Sequence, residues 1–417
     1  MGIKKIKISN FKSFKDLEVN LNDFNILIGA NASGKSNFIH IFEFLRDIVN
    51  HGLDNAISMQ GDIEYLRNIN IGDIQHFSVE ITSGFKKSRG LFGKEVGDDI
   101  IGTRTSEIFY ELAIKPSKAK SKLKIIEDKL KIQFELVKLN KRKKTQEKLG
   151  TGTFLLNKRN GKIKSEFEIP PGIEIDKNHV FPFVDFIEEL PEKTLLLETP
   201  FFRLPFDSSD IFSDVSVYNF DPKLAKKAIP ITGKTDLEED GSNLAIVLKK
   251  IIENKNSRQR FSNLINDVLP FVEKLDVEKF SDKSLLVRLQ ETYTKNKFLP
   301  ASLLSDGTLN ITALIIALYF GKKPFVIIEE PERNIHPHLA SKIVEMMREV
   351  SRKRQIIVTT HNPEIIKHAK LDEILFIARD KEGFSQITRP AENEQVKIFL
   401  ENEMGMDELY VQNLLEL

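Results

Sequence analysis

The sequence predicts an α/β fold in which segments near both ends of the chain form a parallel sheet with helices. Short apolar runs of strand length occupy residues 24–28, 325–328 and 355–360, and helical patterns alternate with them. Such alternation is typical of a parallel sheet, because parallel strands need a crossover connection. A β-rich and helical insertion is predicted between these segments, since extended runs fill residues 77–169 and 3.6-residue spacing follows.

Composition narrows the class of protein. The formal net charge of the 417-residue chain is +1, which gives no overall attraction to nucleic acid. The chain has no cysteine, which excludes disulfides, thiolate zinc sites and cysteine nucleophiles. The first residues lack the apolar stretch of a signal peptide, and the apolar run at residues 314–320 is too short to span a bilayer. We expect a cytoplasmic protein that makes no membrane contact.

The most specific motif is a glycine-rich loop between a predicted strand and a predicted helix. Its pattern is G-x-x-x-x-G-K-S, and with the next residue it comprises Gly29, Ala30, Asn31, Ala32, Ser33, Gly34, Lys35, Ser36 and Asn37. The glycines let the backbone turn its N–H groups toward a di- or triphosphate, and the helix N-terminus favours the same anion. Lys35 supplies charge for the β- and γ-phosphates, and Ser36 offers a hydroxyl to Mg²⁺.

Residue periodicity predicts the strands and turns of the N-terminal half of the chain. Residues 5–9 and 16–21 alternate apolar and polar side chains and predict half-buried strands. Asn160-Gly161 is a hairpin turn signal within the later run of strands. A basic stretch, residues 115–148, carries thirteen Lys or Arg against four acidic residues, with its tip at residues 141–144. Lysines at an exposed sheet edge are the alternative interpretation of that stretch.

The C-terminal half alternates helices and strands in the same way. Helical spacing covers residues 243–253, 309–320 and 336–350, and residues 285–299 predict a hairpin. The predicted segments are residues 1–76 (N-terminal part of the sheet with the glycine-rich loop), 77–169 (antiparallel β-rich insertion), 170–283 (helical subdomain), 284–390 (C-terminal part of the sheet) and 391–417 (helical tail).

Two adjacent carboxylates, Glu329 and Glu330, end the apolar strand at residues 325–328. A phosphate-binding loop needs such a partner, because one carboxylate can hold Mg²⁺, directly or through water, and the other can polarise an attacking water. An exposed acidic strand end is the alternative. The presence of the glycine-rich loop favours the catalytic interpretation.

Two further segments carry candidate binding residues. Ser305 and Gly307 lie where a predicted helix begins, so a hydroxyl, backbone N–H groups and the helix dipole align toward an anion. An ordinary N-cap would explain the serine alone. His361 follows the strand at residues 355–360, from which an imidazole can reach a γ-phosphate.

In order and spacing, these motifs resemble those of ABC-type ATPases of the SMC/RecF/OLD group over about half of the chain. Residues 29–36 match Walker A, and LSDGT at residues 304–308 is similar to the ABC signature. Residues 325–330 resemble Walker B, and TTHNP at residues 359–363 resembles the H-loop. The resemblance implies the fold of an ABC-type P-loop NTPase head, which combines a parallel sheet with helices and an antiparallel β subdomain.

The resemblance also implies a mechanism with ATP and Mg²⁺. Such heads hold ATP between two copies, so the protein is expected to form a homodimer through ATP. Ser305 and Gly307 then contact the γ-phosphate bound to Lys35 of the other copy. Glu330 is the implied general base, and His361 senses the γ-phosphate.

The chain departs from the family pattern at the metal site. Walker B usually begins its carboxylate pair with Asp, whereas this chain has Glu329, which can still reach Mg²⁺ through water. The glutamine of the Q-loop is not evident. Gln75 is the preferred candidate and Gln60 is its rival. The expected metal ligands are therefore Ser36, Glu329 and Gln75.

Two functions fit this head. The first is a slow ATP-dependent switch that controls a separate nuclease or toxin subunit in anti-phage defence, since residues 240–244 and 409–417 look similar to stand-alone ATPases whose relatives work beside nucleases. The second is a RecF-like DNA-binding clamp in repair, with residues 115–148 contacting phosphates. A P-loop kinase or GTPase for small molecules is disfavoured by the paired carboxylates and by LSDGT.

Overall fold

A computed structural model describes most of the chain. The described residues are 2–72, 75–84, 92–96, 99–116, 123–140, 145–173, 188–199, 212–281, 283–294, 297–401, 405–412 and 414. The chain divides into two compact units. Unit 1 comprises Met1–Asn22, Ala32–Val215 and Ile377–Thr388, and unit 2 comprises Asp23–Asn31, Ser216–Phe376 and Arg389–Leu417. The five segments predicted above describe chain order and stay a prediction.

Strands and helices alternate along the described chain. In chain order the strands are β1 (Gly2–Phe11), β2 (Phe14–Asn20), β3 (Phe24–Ile28), β4 (Phe77–Gly84), β5 (Phe92–Val96), β6 (Asp99–Pro116), β7 (Leu123–Asn140), β8 (Thr145–Arg159), β9 (Lys162–Glu168), β10 (Val215–Tyr218), β11 (Ile229–Pro230), β12 (Val272–Ser281), β13 (Ser284–Glu291), β14 (Phe298–Pro300), β15 (Phe325–Glu329), β16 (Gln355–Thr360), β17 (Ile374–Arg379) and β18 (Ser385–Thr388).

The α-helices of the described residues are α1 (Lys35–His51), α2 (Leu53–Met59), α3 (Ile63–Leu66), α4 (Pro222–Ala225), α5 (Leu244–Glu253), α6 (Lys255–Val268), α7 (Asp306–Tyr319), α8 (Ala340–Ser351), α9 (Pro363–Lys367), α10 (Glu394–Glu401) and α11 (Met406–Val411). Short 3₁₀ turns occupy Leu196–Glu198, Ala301–Leu303, Pro337–Leu339, Leu371–Glu373 and Pro390–Glu392. Among the described residues, no helix combines the length and apolar character needed to span a membrane.

Unit 1 is built on a large antiparallel sheet. Its strands lie in the order β2-β1-β4-β6-β7-β8-β9, with β5 paired to β6. The N-terminal strand β1 pairs on one side with β2 and on the other with β4. The predicted antiparallel β-rich insertion therefore extends the sheet begun by the N-terminal pair, because β4 satisfies the backbone groups along the second edge of β1.

Strand β7 continues through the polar residues 127–129, which separate the runs at residues 123–126 and 130–136. The polar residues between them do not interrupt the strand. Asp128 is fully buried there, and its two carboxylate oxygens accept hydrogen bonds from Tyr110 Oη at 3.0 Å and from the Leu196 N–H at 2.9 Å. A buried carboxylate that is hydrogen-bonded on both oxygens is tolerated within a sheet.

In unit 1 the predicted hairpin turn and the predicted helix after the glycine-rich loop are both confirmed. Asn160 and Gly161 have φ values of 48° and 82° and connect β8 to β9, as a two-residue hairpin turn requires. The apolar face predicted for the helix after the glycine-rich loop is buried along α1. Phe44 of α1 packs against Phe77 with ring centroids 5.7 Å apart, and Phe77 in turn lies 5.5 Å from Phe11. These rings belong to the core of unit 1.

Unit 2 contains the predicted parallel sheet. Strand β16 pairs in parallel with β15 on one side and with β3 on the other, and β3 pairs in parallel with β17. The order of the strands in this unit is β10-β15-β16-β3-β17. The inner strands β3 and β16 are buried along their length, as expected when helices cover both faces of a sheet. The carboxyl ends of β15, β16 and β3 therefore meet at one edge.

A second, smaller sheet in unit 2 confirms the predicted hairpin. Strand β13 pairs antiparallel with β14, and also with β12 and β11. Helix α7 begins at Asp306, three residues before the predicted start, because the Ser305 hydroxyl accepts a hydrogen bond from the Thr308 N–H and caps the helix.

Burial of Asp128 makes the stability of unit 1 depend on pH. Burial raises the pKa of this carboxyl to about 7, although the Leu196 N–H, Lys158 and Tyr110 favour its anion. A raised carboxyl pKa means that the folded state binds the proton more tightly than the unfolded state. The contribution of Asp128 to stability is therefore full below pH 3.8 and is lost between pH 3.8 and about 7, by about 1.4 kcal/mol per pH unit.

Asp128→Asn should remove this slope, since the amide can accept from the Leu196 N–H and donate to Tyr110 Oη without titrating. Thermal unfolding measured from pH 5 to pH 8 tests the prediction, with Glu127→Gln on the neighbouring position as the control that keeps the wild-type slope. Equal slopes for Asp128→Asn and the wild-type protein would contradict it.

Candidate functional site

The second half of the glycine-rich loop lies in unit 1 and leads into α1. Gly34 has a φ of 115°, which favours glycine, and α1 begins at the next residue, Lys35. A Cβ atom on Gly34 would lie 2.3 Å from Ser385 Oγ and 2.9 Å from Ser13 Oγ. Both the backbone conformation and the packing therefore require glycine here.

Residues far away in the sequence hold this half of the loop. Ser385, which is fully buried, donates from its hydroxyl to the Ser33 carbonyl at 2.6 Å and lies 2.8 Å from Ser13 Oγ. Arg379 donates from Nε to the carbonyl of Ala32 at 3.1 Å, where the backbone has a φ of 64°. Sequence reasoning missed Ser13, Arg379 and Ser385, because no local pattern connects residues more than 340 positions apart.

The loop presents its candidate ligands in the expected order. Lys35 and Asn37 are half-buried and Ser36 is exposed in the first turn of α1, where backbone N–H groups and the helix dipole favour an anion. Gly29 is buried directly after β3, and Ala30 and Asn31 are exposed; these three residues belong to unit 2. The donor set and the Cβ-free position at Gly34 fit a polyphosphate with Mg²⁺.

The parallel sheet of unit 2 brings the other candidate residues together. Glu329 is in register with Thr359, and Thr360 is in register with Ile28, the last residue of β3. The N–H of Glu330 donates to the carbonyl of Thr359 at 2.9 Å. The two glutamates and the residue that follows β16, His361, therefore lie at the same edge of the sheet from which the glycine-rich loop starts.

Glu330 is held at this edge by two basic side chains. One carboxylate oxygen accepts from Nη2 and Nε of Arg333 at 2.7 and 3.2 Å, and the other lies 2.9 Å from His361 Nδ1. Burial acts to raise the pKa of Glu330, but the Arg333 and His361 contacts outweigh it, so the pKa is lowered from its ordinary value. The carboxylate is therefore ionised at neutral pH.

Asn219, directly after β10, connects the two glutamates through Arg333. Its Oδ1 accepts from Arg333 Nη1 at 3.1 Å, and its Nδ2 donates to Glu329 Oε1 at 3.4 Å. Sequence reasoning gave no role to Arg333, although it lies three residues after Glu330, and it missed Asn219 because nothing in the sequence pairs β10 with β15.

Glu332, shortly after β15, is connected to the last residue of β16 by a buried hydrogen bond. It is buried, and one of its oxygens accepts a hydrogen bond from Thr360 Oγ1. Its other oxygen has no hydrogen-bond partner in the described structure. Burial raises the pKa of this carboxyl. The cause of this shift is that a neutral carboxylic acid costs less to bury than an anion.

The LSDGT segment is packed against the chain that follows the carboxylates. Ser305 is exposed at the start of α7, whereas Gly307 faces the carbonyl of Asn334, and a Cβ atom there would lie 2.5 Å from that oxygen. Asn310, one turn further along α7, donates to the carbonyl of Arg333 at 2.7 Å. Gly307 therefore serves a close backbone approach as well as the helix N-terminus.

The glutamine candidates lie in unit 1. Gln75 is exposed, and its main-chain carbonyl accepts from Asn10 Nδ2 at 2.9 Å. Gln60 is the C-terminal cap of α2. Nothing in this arrangement selects a glutamine side chain for Mg²⁺, so the metal role of Gln75 stays a prediction.

The basic stretch is partly neutralised where the structure describes it. Most of its described residues lie on β7, an inner strand between β6 and β8, rather than on an edge strand. Lys138 lies 2.9 Å from Asp99 and Lys148 lies 2.5 Å from Glu135, each across neighbouring strands. The predicted tip, residues 141–144, lies outside the described residues.

The fold and the site together define an ABC-type P-loop ATPase head. The chain resembles a crystal structure of an SMC head bound to the C-winged helix domain of ScpA, with a TM-score of 0.51, 15% identity and coverage of 93% of this chain and 98% of that one. This likeness shows the fold and confirms the predicted fold class.

Family comparison leads to the same class. Residues 24–367 match the AAA domain family described as putative AbiEii toxin, Type IV TA system, and the chain belongs to this family. An uncharacterised protein of Methanocaldococcus jannaschii, MJECL43, is 25% identical over 190 residues, 42% of this chain and 49% of that protein. Septu protein PtuA of Bacillus thuringiensis is 28% identical over 102 residues, 22% of this chain. The match covers about half of MJECL43 and 26% of PtuA.

The hydroxyl of Ser385 should matter for nucleotide affinity. Ser385→Ala removes the hydrogen bond to the Ser33 carbonyl of the glycine-rich loop, worth about 1 kcal/mol, so ATP binding should weaken by about fivefold. Titration of the variant with ATP in the presence of Mg²⁺ measures the change. Ser58→Ala, on the exposed side of α2, is the matched control. Equal ATP affinity for both variants would show that the hydroxyl does not position the loop.

Proposed function

We propose that this protein binds ATP with Mg²⁺, dimerises around the nucleotide and acts as a slow switch for a separate effector. The observation that carries the proposal is the ionised carboxylate of Glu330 beside His361, at the sheet edge where β15, β16 and β3 end. A general base needs this combination of ionisation and position next to a phosphate-binding loop.

Each candidate residue has a role in this proposal. The loop comprising Gly29, Ala30, Asn31, Ala32, Ser33, Gly34, Lys35, Ser36 and Asn37 binds the phosphates, with Lys35 as the point charge. Ser36 and Glu329 are the proposed ligands of Mg²⁺, with Gln75 as a third candidate. When bound, Mg²⁺ would neutralise part of the negative charge of the phosphates. Glu330 accepts the proton of the attacking water, and His361 donates to the γ-phosphate.

Dimerisation follows from the exposed N-terminus of α7. Ser305 is exposed, and its hydroxyl lies at the start of a helix whose dipole attracts an anion. We infer that Ser305 and Gly307 of one copy contact the ATP bound by the other. Hydrolysis then removes contacts to both copies, as a nucleotide-dependent switch requires.

The effector is proposed from the relatives. The family description names a toxin, and one relative is a Septu protein. These similarities favour anti-phage defence and a nuclease or toxin subunit as partner. The RecF-like DNA clamp is the second hypothesis. The cross-strand carboxylates beside Lys138 and Lys148 leave less free charge for DNA than the sequence suggested.

Trapping the dimer tests the proposal. Glu330→Gln keeps the size of the side chain but removes the base, so hydrolysis should fall by about 10²–10⁴-fold while ATP binding persists. The apparent mass of this variant, measured by light scattering after size exclusion, should double with ATP and Mg²⁺.

Lys35→Ala is the matched control and should stay at the monomer mass under the same conditions. The same measurement repeated with a duplex DNA reports whether DNA shifts the equilibrium. A Glu330→Gln protein that keeps its monomer mass at saturating ATP would overturn the proposed dimer.

A further inference from the structure

Both oxygens of the proposed base are engaged in this structure. Arg333 binds one oxygen through two N–H groups, and His361 Nδ1 lies 2.9 Å from the other. An oxygen that already accepts two hydrogen bonds from a guanidinium is a poor acceptor for a water proton. Glu330 in this arrangement is ionised but restrained.

The segment that carries this contact is short and strained. Glu330 and Asn334 have φ values of 44° and 63°, so non-glycine residues in the left-handed region stand at both of its ends. Such a conformation persists only when neighbouring contacts hold it. The Arg333 N–H donates to the Glu330 carbonyl at 3.0 Å, which closes the turn.

Those neighbouring contacts come from the N-terminal turns of α7. Asn310 Nδ2 donates to the Arg333 carbonyl at 2.7 Å, and Gly307 lies against the carbonyl of Asn334 with no space for a Cβ atom. The start of α7 therefore cannot shift without shifting the main chain of Arg333. The same turn of α7 presents Ser305, the residue proposed above to contact the ATP of the other copy.

We propose that Arg333 is a positioning residue that restrains Glu330 until the start of α7 engages a nucleotide held by a second copy. This inference rests on the proposed function, since it needs the ATP-bridged dimer. The Arg333 side chain is 44% exposed, so its ion pair is weak enough to be exchanged when the main chain moves. The signature segment of each copy thereby controls the base of that same copy.

Variants of Arg333 and Asn310 separate this role from simple support of the base. Arg333→Gln should raise ATP hydrolysis by about tenfold at protein concentrations below dimerisation, the effect of one charge-assisted contact. It should leave kcat of the dimer unchanged. Arg333→Lys, which keeps the charge, should restore most of the restraint, and Arg352→Gln, an exposed arginine after α8, is the charge-matched control.

Asn310→Ala breaks the link between α7 and Arg333. The dimer should still form with ATP, but its kcat should fall several-fold because the restraint is no longer released. The double variant Arg333→Gln/Asn310→Ala should regain the kcat of Arg333→Gln, since no restraint remains to be released. An equal loss from Asn310→Ala in both backgrounds would overturn the coupling.

The comparison of monomer and dimer gives a second readout. A fall in the dimer kcat of Arg333→Gln to the level of Glu330→Gln would show that Arg333 stays engaged during catalysis and would overturn the proposal. Failure of Glu330→Gln to dimerise with ATP is a separate result and identifies failure of the proposed function.

Discussion

The parallel register of β15, β16 and β3 is the constraint on which the candidate site depends. Glu329 is aligned with Thr359, and Thr360 with Ile28, so three strand ends deliver their next residues to one edge. The strands in the middle of this sheet are buried along their length, and a slip in register would break the hydrogen bonds between them. The carboxylates, the histidine and the start of the glycine-rich loop owe their proximity to this register rather than to contacts of their own.

A second constraint is the close approach of backbone segments at two glycines. Gly34 leaves room for Ser385 and Ser13 in unit 1, and Gly307 leaves room for the Asn334 carbonyl in unit 2. Each position is also part of a motif that is proposed to bind phosphate. The same missing Cβ therefore serves packing and the proposed binding of an anion.

Sequence patterns predicted local elements well and their grouping less well. The strand before Gly29, the helix after Gly34, the Asn160-Gly161 turn and the parallel strands are confirmed because their signals are short and local. The pairing of β4 with β1, which joins the predicted insertion to the N-terminal strands in one sheet, was not predicted. The burial of Asp128 within β7 was not predicted either, since a charged residue is normally a surface signal and its burial depends on partners elsewhere in the chain.

The sequence by itself determined the chemical groups: a phosphate-binding loop, two adjacent carboxylates, a histidine after a strand and a serine at a helix start. Only the tertiary structure decided which groups support them. Ser385 on the glycine-rich loop, Asn219 between the glutamates and Asn310 on the Arg333 carbonyl have no sequence signature, because a single hydrogen bond between distant segments requires only one polar side chain at the right place. The residues of a motif are close together in the sequence because the chemistry needs several groups within a few ångströms. The residues that hold a motif in place come from distant segments, wherever the fold brings a strand or helix close to it.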